Sequence, residues 1–345
     1  MKVGVIFGGQ SGEHEVSLMS AQSVMGALDS TRYAIVPIGI DKNGRWLTGD
    51  NVVEKMLAGE AGAGVLPPIA ALTNLDIVFP VLHGPYGEDG TIQGLLELAG
   101  IPYVGAGVVG SAVGMDKAIF KAVMVAHDLP IVAWELVLRT EWAMDDGAIL
   151  DRIEASLTYP VFVKPANLGS SVGISKCKSR DELRDGIIEA LRHDRRVVVE
   201  QGIDARELEM AVLGNEHPAV SVVGEVHPGN EFYDYAAKYL AEPGSAMESD
   251  LTIPAELPAA LAAEAQAMAQ RAYQAIDCAG LGRVDLMMDR ENGRLYINEI
   301  NTIPGFTRIS MYPKLWEATG LPYPELLDRL IELAMERHGQ LTIDN

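Results

Sequence analysis

The stretch YINEIN, residues 296–301, places a carboxylate and two amides in a run that otherwise reads as a buried β-strand. Strict alternation along such a strand puts Glu299 and Asn301 on the same face as Ile297. An ionised glutamate that is buried without a partner costs several kcal/mol. We therefore expect Glu299 and Asn301 to hold a partner at this strand.

A second strand, GRVDLMMD at 282–289, precedes the first and supplies a further acid, Asp285. Asn292 and Gly293, between the two strands, are a strong signal for a hairpin turn. With a loop of three residues ending at Gly293, Asp285 falls directly opposite Glu299, and such cross-strand partners have Cβ atoms about 5 Å apart. The pattern thus predicts two carboxylates side by side on one face.

Two carboxylates at that distance repel each other unless a cation lies between them. Mg²⁺ prefers oxygen ligands, so Asp285, Glu299 and the side-chain carbonyl of Asn301 suit it. One alternative is that the acids pair with a basic residue such as Arg283 on a wet sheet face. Another is a two-residue turn, which would move Asp285 to the opposite face.

Mg²⁺ with so few protein ligands usually also binds substrate phosphates, so a phosphate cradle is expected elsewhere in the chain. The sequence contains no P-loop pattern. The best candidate is KPANLGSSVG, residues 164–173, in which a strand delivers Lys164 to a loop of glycine and serine whose amides can turn towards anionic oxygens. An ordinary Gly/Ser turn is the alternative interpretation.

GAGVVG at 105–110 matches a dinucleotide-binding pattern and would support a nucleotide-dependent oxidoreductase. Such a site should offer an acid at the end of a following strand about 20 residues on, whereas that region reads as a continuing helix with Asp128 in a turn. We interpret the motif as a connection between domains. A two-domain small-molecule binding protein is a non-enzymatic alternative, but it has no use for a metal-suited acid cluster.

The N-terminal loop GGQSGEHE, residues 8–15, follows a first strand and puts Glu13 and Glu15 at the start of a helix. Acids in a first turn usually serve the helix dipole, and we expect this of Glu13. Ligands of open α/β sheets bind beyond the carboxyl ends of the strands, so Glu15 is the candidate partner of an ammonium group. The motif at 82–90, LHGPYGEDG, puts His83 at the same edge.

The composition suits a globular protein with more than one domain, since 345 residues exceed a typical domain and 48% are apolar. A net charge of −21 argues against a nucleic-acid partner. The start reads as a buried strand rather than a signal peptide, and no apolar run approaches the roughly 20 residues of a membrane helix. The cysteines Cys177 and Cys278 have no metal-like spacing. We expect a cytoplasmic protein without a membrane partner.

Alternating strand and helix signals predict three domains. Residues 1–115 read as an α/β layer with a largely parallel, Rossmann-like sheet, followed by a central unit at 116–203. A C-terminal unit at 204–345 contains a long polar and aromatic loop at 225–249.

Seven motifs occur in the order found in D-alanine–D-alanine ligases of the ATP-grasp superfamily: GGQSGEHEVSL, HGPYGEDGTIQG, MDK, VKPANLGSSVGISK, FYDYAAKY, GRVDLMMD and NEINTIPGFT. The sequence resembles this family from residue 3 to about residue 335. The resemblance implies an α/β ATP-grasp fold, α+β in its C-terminal half, with ATP between the central and C-terminal domains. It also implies ligation of two D-alanines to D-alanyl-D-alanine, with ADP and phosphate as products, for peptidoglycan synthesis.

The resemblance implies roles for individual residues. Asp285, Glu299 and Asn301 resemble the ligands of two Mg²⁺ ions, for which Mn²⁺ is a possible substitute. The residues implied around ATP are Lys117 and Lys164 at the phosphates, Ser170 and Ser171 in the small loop over them, Glu200 and Ile203 at the adenine, Glu207 at the ribose, and Lys238 in the 225–249 loop, which closes as a lid. At the substrates, the resemblance implies that Glu15 holds the ammonium of the first D-alanine, with His83 close by, and that Ser310 holds the carboxylate of the second D-alanine. It also implies that Arg283 lies beside the tetrahedral centre and that Tyr239 locks the lid towards Glu15 and Ser170.

The family includes ligases that take a different second substrate, D-lactate or D-serine. The D-lactate enzymes depart from Lys-Tyr in the lid, whereas this sequence keeps AAKY at 236–239, which favours D-alanine. Other carboxylate–amine ligases of the superfamily share the ATP site and stay as a further alternative. The resemblance also implies a homodimer.

Overall fold

The computed structural model describes residues 1–65, 69–169, 172–227 and 250–341. Three β-sheets organise these residues. None of the helices in this part of the chain combines the length and the apolar character that a membrane crossing requires.

The first sheet is built from β1 (Lys2–Gly8), β2 (Ala34–Ile40), β3 (Trp46–Leu47) and β4 (Ile77–Pro80). Its order is β3-β2-β1-β4, with β1 parallel to β2 and β4 and with β3 antiparallel to β2. The nearby helices are α1 (His14–Ala27), α2 (Val52–Leu57), α3 (Ile69–Leu72), α4 (Thr91–Leu98) and α5 (Val108–Met115). β1 is buried after its first residue, which is typical of a parallel strand covered on both faces.

The second sheet has the strands β5 (Trp134–Leu138), β6 (Val161–Pro165), β7 (Ser175–Cys177) and β8 (Arg196–Gln201). They are antiparallel in the order β5-β8-β6-β7. The helices of this part are α7 (Arg139–Met144), α8 (Asp146–Ser156) and α9 (Arg180–His193). α9 begins after Ser179, whose hydroxyl accepts a hydrogen bond from the Glu182 amide and so caps the helix.

The third sheet has the strands β9 (Ala205–Leu213), β10 (Ala219–Val220), β11 (Gly224–His227), β12 (Asp250–Thr252), β13 (Leu281–Asp289) and β14 (Leu295–Asn301). Its order is β12-β11-β9-β13-β14, with β10 beside β9, and all the pairs are antiparallel. Two helices pack on it, α6 (Lys117–Ala126) and α10 (Ala259–Ala275). The predicted loop at 225–249 begins too early, because 225–227 pair with β9 and β12; residues 228–249 lie outside the described residues.

The hairpin between β13 and β14 differs from the predicted one in two compensating ways. Its loop has four residues, because the Asp289 amide donates to the Arg294 carbonyl oxygen at 3.0 Å. That register alone would place Asp285 opposite Asn298. A bulge at Asn298 shifts the pairing by one residue, and Asp285 therefore opposes Glu299.

The bulge also corrects the predicted alternation along β14. Ile297 and Ile300 both lie in the core under the third sheet, with 0% and 4% of their surface exposed. Strict alternation would have put Ile297 and Glu299 on one face. Because the extra residue precedes Glu299, this acid and Asn301 lie on the face away from that core.

The C-terminal helices return to the first sheet. α11 (Met311–Thr319) and α12 (Tyr323–Leu341) share one apolar core with β1 and β4. Phe306, in the loop before α11, contacts the rings of Phe79, Tyr312 and Tyr323 at centroid distances of 5.8, 5.5 and 5.8 Å. The loop that follows β14 is thereby fixed against the first sheet.

The predicted domain boundaries, 1–115, 116–203 and 204–345, stay a prediction. Each sheet falls within one of these ranges, but the cores cross them, since α6 packs under the third sheet and α12 against the first. The GAGVVG motif leads into the first turn of α5, and α5 contacts β14 of the third sheet. A Cβ at Gly110 would lie 2.7 Å from the Asp277 carbonyl oxygen, so the glycine permits a close approach of two backbone segments.

Candidate active site

A cavity of about 490 Å³ is lined by residues of the second and third sheets and closed at one end by the first part of the chain. From its described residues, the third sheet contributes four acidic side chains, Glu207, Glu209, Asp285 and Glu299, and one basic side chain, Arg283. The opposite side contributes Lys117 from the start of α6 and Lys164 from β6. The cavity thus has one acidic and one basic wall.

The acidic wall is organised around Asp285. Arg283 donates two hydrogen bonds to its carboxylate, from Nε to Oδ1 at 2.7 Å and from Nη2 to Oδ2 at 2.6 Å. Asn301 Nδ2 donates to Oδ2 at 3.0 Å, which places Asn301 on the same face as Asp285. Arg283 also lies 3.0 Å from Glu209 Oε2. The structure therefore brings Asp285, Glu299 and Asn301 together, as predicted, and at the same time realises the predicted alternative of a pairing with Arg283.

The donor set of this wall fits a hard divalent cation. Asp285 and Glu299 oppose each other across two paired strands, and Asn301 adds an amide whose oxygen is not used in its bond to Asp285. In the part of the chain that the structure describes, Arg283 is the one basic side chain that this sheet contributes to the cavity, against four acids, Glu207, Glu209, Asp285 and Glu299. Within the described residues, no group of three or more His, Cys, Asp and Glu side chains has a metal-binding arrangement, so the fit depends on the two acids and the amide.

The basic wall is held by a buried carboxylate, Glu200 on β8. Lys164 Nζ donates to Glu200 Oε2 at 2.8 Å, and Lys121 Nζ on α6 lies 3.1 Å from Oε1. Burial opposes the ionisation of Glu200, but the charges of Lys121 and Lys164 lower its pKa to about 2. Glu200 is 3% exposed and both its oxygens have a lysine partner. Lys117 Nζ donates to the Leu168 carbonyl oxygen at 2.6 Å.

The end of the cavity is closed by two acids from the first part of the chain, Glu13 and Glu88. Glu88 accepts hydrogen bonds from the Gly84 amide at 2.7 Å and from the Ile303 amide at 3.1 Å, so it connects the HGPYGEDG loop to the end of β14. Burial, followed by the nearby charge of Glu13, raises the pKa of Glu88 to about 8. Glu13 Oε2 lies within 3.4 Å of the position that a Cβ of Gly169 would take, which brings it to the start of the Ser170 loop.

The structure does not bring Glu15 to this cavity. α1 begins at His14, so Glu13 is its N-cap and stays beside the end of β1, whereas Glu15 lies on the outer face of the first turn. The Glu15 side chain is about half exposed and its Oε1 lies 2.6 Å from Lys42 Nζ. The prediction therefore chose the wrong one of the two acids in the motif. Residues two positions apart at the start of a helix point about 200° apart around its axis, so the two acids face different sides.

Of the other predicted residues that the structure describes, two line the cavity, whereas His83 and Ser310 are not among its lining residues. Ile203 and Glu207 line it beyond Glu200. His83 is buried behind the wall, with Nδ1 2.9 Å from the Ile303 carbonyl oxygen, and burial lowers its pKa. Ser310 is the N-cap of α11, and its hydroxyl lies 2.8 Å from that of Thr307. Ser170, Ser171, Lys238 and Tyr239 lie outside the described residues.

Sequence reasoning missed Lys121 and Glu88 and undervalued Glu13. Lys121 follows Lys117 by four residues, so the two lie on one face of α6, a spacing that could have indicated a paired role. Glu88 stands in the same motif as His83, and nothing in its spacing marks it as the one that lines the cavity. Glu13 lies in the loop between the first strand and the helix, which is the position of a ligand-facing residue in an α/β sheet.

Two family models cover most of the chain. The model described as D-ala D-ala ligase N-terminus matches residues 2–106, and the model described as D-ala D-ala ligase C-terminus matches residues 123–332. Among the relatives, the D-alanine--D-alanine ligase of Heliobacterium modesticaldum is 51% identical, over 98% of this chain and 95% of its own length. That of Natranaerobius thermophilus is 47% identical, over 99% and 96%.

Solved structures agree with these matches. The VanG D-Ala:D-Ser ligase from Enterococcus faecalis superimposes with a TM-score of 0.84 at 36% identity, covering 96% of this chain and 99% of that one. The D-alanine-D-alanine ligase from Coxiella burnetii gives 0.82 at 37% identity, covering 99% and 95%. The fold is that of an ATP-grasp enzyme, as the sequence predicted. The chain belongs to the D-alanine–D-alanine ligase family.

We expect Glu88→Gln to flatten the pH dependence of the free energy of unfolding between about pH 4.5 and pH 8. The folded chain keeps a proton on Glu88 that the unfolded chain, with a pKa near 4.5, has lost. This contribution to stability is complete below pH 4.5 and is lost as the pH rises through 8, by up to about 1.4 kcal/mol per pH unit.

Denaturant unfolding at intervals from pH 5 to pH 8 measures the slope. Glu291→Gln, at an exposed position in the β13–β14 turn, is the control and should keep the native slope. A native slope in Glu88→Gln would contradict the protonated state of this acid.

Proposed function

We propose that this chain is an ATP-dependent carboxylate–amine ligase that joins two D-alanines into D-alanyl-D-alanine, with ADP and phosphate as products. The product is a building block of peptidoglycan precursors. The observation that carries this proposal is a single cavity in which lysines from α6 and β6 face the Asp285–Glu299 pair of the third sheet. A nucleoside triphosphate with its divalent cation has the charge distribution that such a pair of walls can bind.

Lys117 and Lys164 are proposed to bind the phosphates, since both line the basic wall. Glu200 and Ile203 follow along the same side, and Glu207 lies on β9 of the third sheet; the three are proposed to surround the adenosine. The contact of Glu200 with two lysines adds a second task for this acid, which is to hold Lys164 in place. Transfer of a phosphoryl group depends mainly on positioning and charge neutralisation, which these residues supply.

Asp285, Glu299 and Asn301 would hold the divalent cation, and we propose two Mg²⁺ ions, with Mn²⁺ as a substitute. When bound, the cation supplies positive charge at the phosphates of ATP. Arg283 is held between Glu209 and Asp285 and is proposed to stabilise the oxyanion of the tetrahedral centre.

The chemistry has two steps. A carboxylate oxygen of the first D-alanine attacks the γ-phosphorus of ATP, ADP leaves, and an acylphosphate forms. The deprotonated amine of the second D-alanine then attacks the acyl carbon, and phosphate leaves. Glu13 is proposed to hold the ammonium group of the first D-alanine, because it is the acid at the end of the cavity and adjoins the Gly169 backbone.

Several features complete the proposal. His83 positions the end of the cavity through its bond to the Ile303 carbonyl oxygen, and Ser310 is proposed to bind the carboxylate of the second D-alanine. The proposed roles of Ser170, Ser171, Lys238 and Tyr239 and of the lid rest on the resemblance of their motifs. We further propose a cytoplasmic homodimer that uses no nucleic-acid or membrane partner.

A coupled assay of ADP release, combined with chromatography of the product, tests the function. We expect ATP and D-alanine to give D-alanyl-D-alanine with one ADP per dipeptide, and L-alanine to give no release. D-Serine and D-lactate, each offered together with D-alanine, should give little mixed product. Formation of the D-lactate ester alone, or the absence of ADP release with D-alanine, would refute the proposal.

Glu13→Gln and Glu15→Gln form a matched pair that tests the first D-alanine site. Loss of the buried carboxylate at 13 should raise the KM for the first D-alanine by about tenfold or more, since a charge-assisted hydrogen bond contributes about 1.5–3 kcal/mol. The exposed Glu15 pairs with Lys42, and its replacement should change KM less than about twofold. Steady-state kinetics at saturating ATP measure both, and a larger effect at 15 than at 13 would reverse the assignment.

A further inference from the structure

Lys121 is a buried lysine behind the basic wall of the cavity, where burial lowers its pKa and the charge of Glu200 opposes that shift. Its side chain is 1% exposed, and Lys121 is not among the residues that line the cavity. Removing an ammonium ion from water costs several kcal/mol unless a charged partner compensates. The partner is Glu200, whose Oε1 lies 3.1 Å from Lys121 Nζ.

Glu200 has a second ammonium partner. Lys164 Nζ lies 2.8 Å from the other oxygen of the same carboxylate. The Lys121–Glu200–Lys164 triad therefore contains two positive charges and one negative charge. Lys164 is its more exposed lysine, with 15% of its side chain accessible against 1% for Lys121. The excess positive charge of the triad is thus presented to the cavity at Lys164.

The position of Lys121 is fixed by α6. The Lys117 amide donates to the Ala166 carbonyl oxygen at 2.8 Å, and Asp116 pairs with Arg196, so the start of the helix is attached to the second sheet. Phe120, about 100° from Lys121 around the axis of α6, packs into the core under the third sheet. Lys121 is one helical turn after Lys117 and consequently faces the second sheet, where Glu200 stands.

We propose that Lys121 is a positioning residue that neutralises Glu200, so that Lys164 keeps its positive charge for the phosphates of the nucleotide. Without Lys121, Glu200 and Lys164 form a neutral pair, and the basic wall loses one unit of charge. That loss matters in a chain with a net charge of −21 and in a cavity whose other wall is acidic. This inference rests on the proposed binding of ATP in the cavity.

A purely structural role for Lys121 predicts a different outcome from a charge-balancing role. A distorted cavity would bind the adenosine part and the phosphate part of a nucleotide less well. A cavity that has lost one positive charge would bind adenosine as before and a phosphorylated nucleotide less tightly. The ratio of the affinities for ADP and adenosine therefore separates the two roles.

The test uses Lys121→Gln in the full-length protein. Glutamine is neutral and has an amide that can donate a hydrogen bond to Glu200, so it removes the charge and offers the carboxylate a polar partner. Calorimetric titration with ADP in the presence of Mg²⁺, and with adenosine, measures both dissociation constants. We expect ADP to bind about tenfold or more weakly and adenosine within about twofold of the native value, because unit charges near the phosphates interact strongly at reduced dielectric.

Lys2→Gln is the matched control, since it removes one lysine charge at the exposed start of β1, at the amino end of that strand. Both dissociation constants should stay native in this variant. If the ratio of the affinities for ADP and adenosine stays native in Lys121→Gln, either because neither affinity changes or because both fall equally, the inference is overturned.

A double variant, Lys121→Met with Glu200→Gln, keeps the inference testable if Lys121→Gln does not fold. It removes one positive and one negative charge together and leaves the charge of Lys164 without a competing carboxylate. Any contact of Glu200 with the adenine affects ADP and adenosine alike, and the charge of Lys164 is kept. The ratio of the affinities for ADP and adenosine should therefore return to within about threefold of native. A ratio that stays about tenfold lower would overturn the charge-balancing role.

The failures of the two proposals can be told apart. If the native protein binds neither ADP nor adenosine, the proposed function itself fails. If the native protein binds ADP and Lys121→Gln keeps the native ratio, the inference about Lys121 alone fails.

Discussion

The register between β13 and β14 is the constraint on which the rest of the site depends. The four-residue loop and the bulge at Asn298 together set Asp285 opposite Glu299 and keep Ile297 and Ile300 in the core. A change in the loop length alone, or loss of the bulge alone, would shift the pairing by one residue. One carboxylate would then point into the apolar core under the sheet, at a large cost in free energy. The local irregularity of this hairpin therefore serves both stability and the proposed chemistry.

Two clusters of buried charged side chains on the walls of the cavity are compensated internally. Arg283 lies between Glu209 and Asp285, and Glu200 lies between two lysines. Each arrangement reduces the free-energy cost of removing ions from water. Each also holds its side chains in place, so a nucleotide does not have to order them when it binds. The two walls thus carry opposite charge before any ligand binds, which is the condition for catalysis by positioning and electrostatic stabilisation.

The sequence predicted the fold class and the acid pair well, because both depend on strong local signals. Apolar strands, helix periodicity and a hairpin turn indicated the elements, and the order of the motifs indicated the family. Asp285 and Glu299 were placed together for a partly mistaken reason, since the predicted loop was one residue too short and the bulge was not foreseen. The error in the loop length and the missed bulge each shifted the pairing by one residue, in opposite directions, and so cancelled.

The errors that did not cancel concern side-chain direction and contacts between distant segments. Glu13 and Glu15 look equivalent in the sequence, and only the start of α1 at His14 decides which one faces the cavity. Lys121 and Glu200 are 79 positions apart, so no local pattern could predict that they form a buried pair. Long-range packing of α6 between two sheets creates that contact.

The most direct test of the account measures how Mg²⁺ changes the affinity for ADP in the native protein, in Glu299→Gln and in the turn variant Glu291→Gln. If Asp285, Glu299 and Asn301 hold the cation, Mg²⁺ should strengthen ADP binding in the native protein and in Glu291→Gln. Glu299→Gln should lose that gain, keep its metal-free affinity and retain the native circular-dichroism spectrum. An unchanged gain with Mg²⁺ in Glu299→Gln would contradict the assignment of the acidic wall as the metal site.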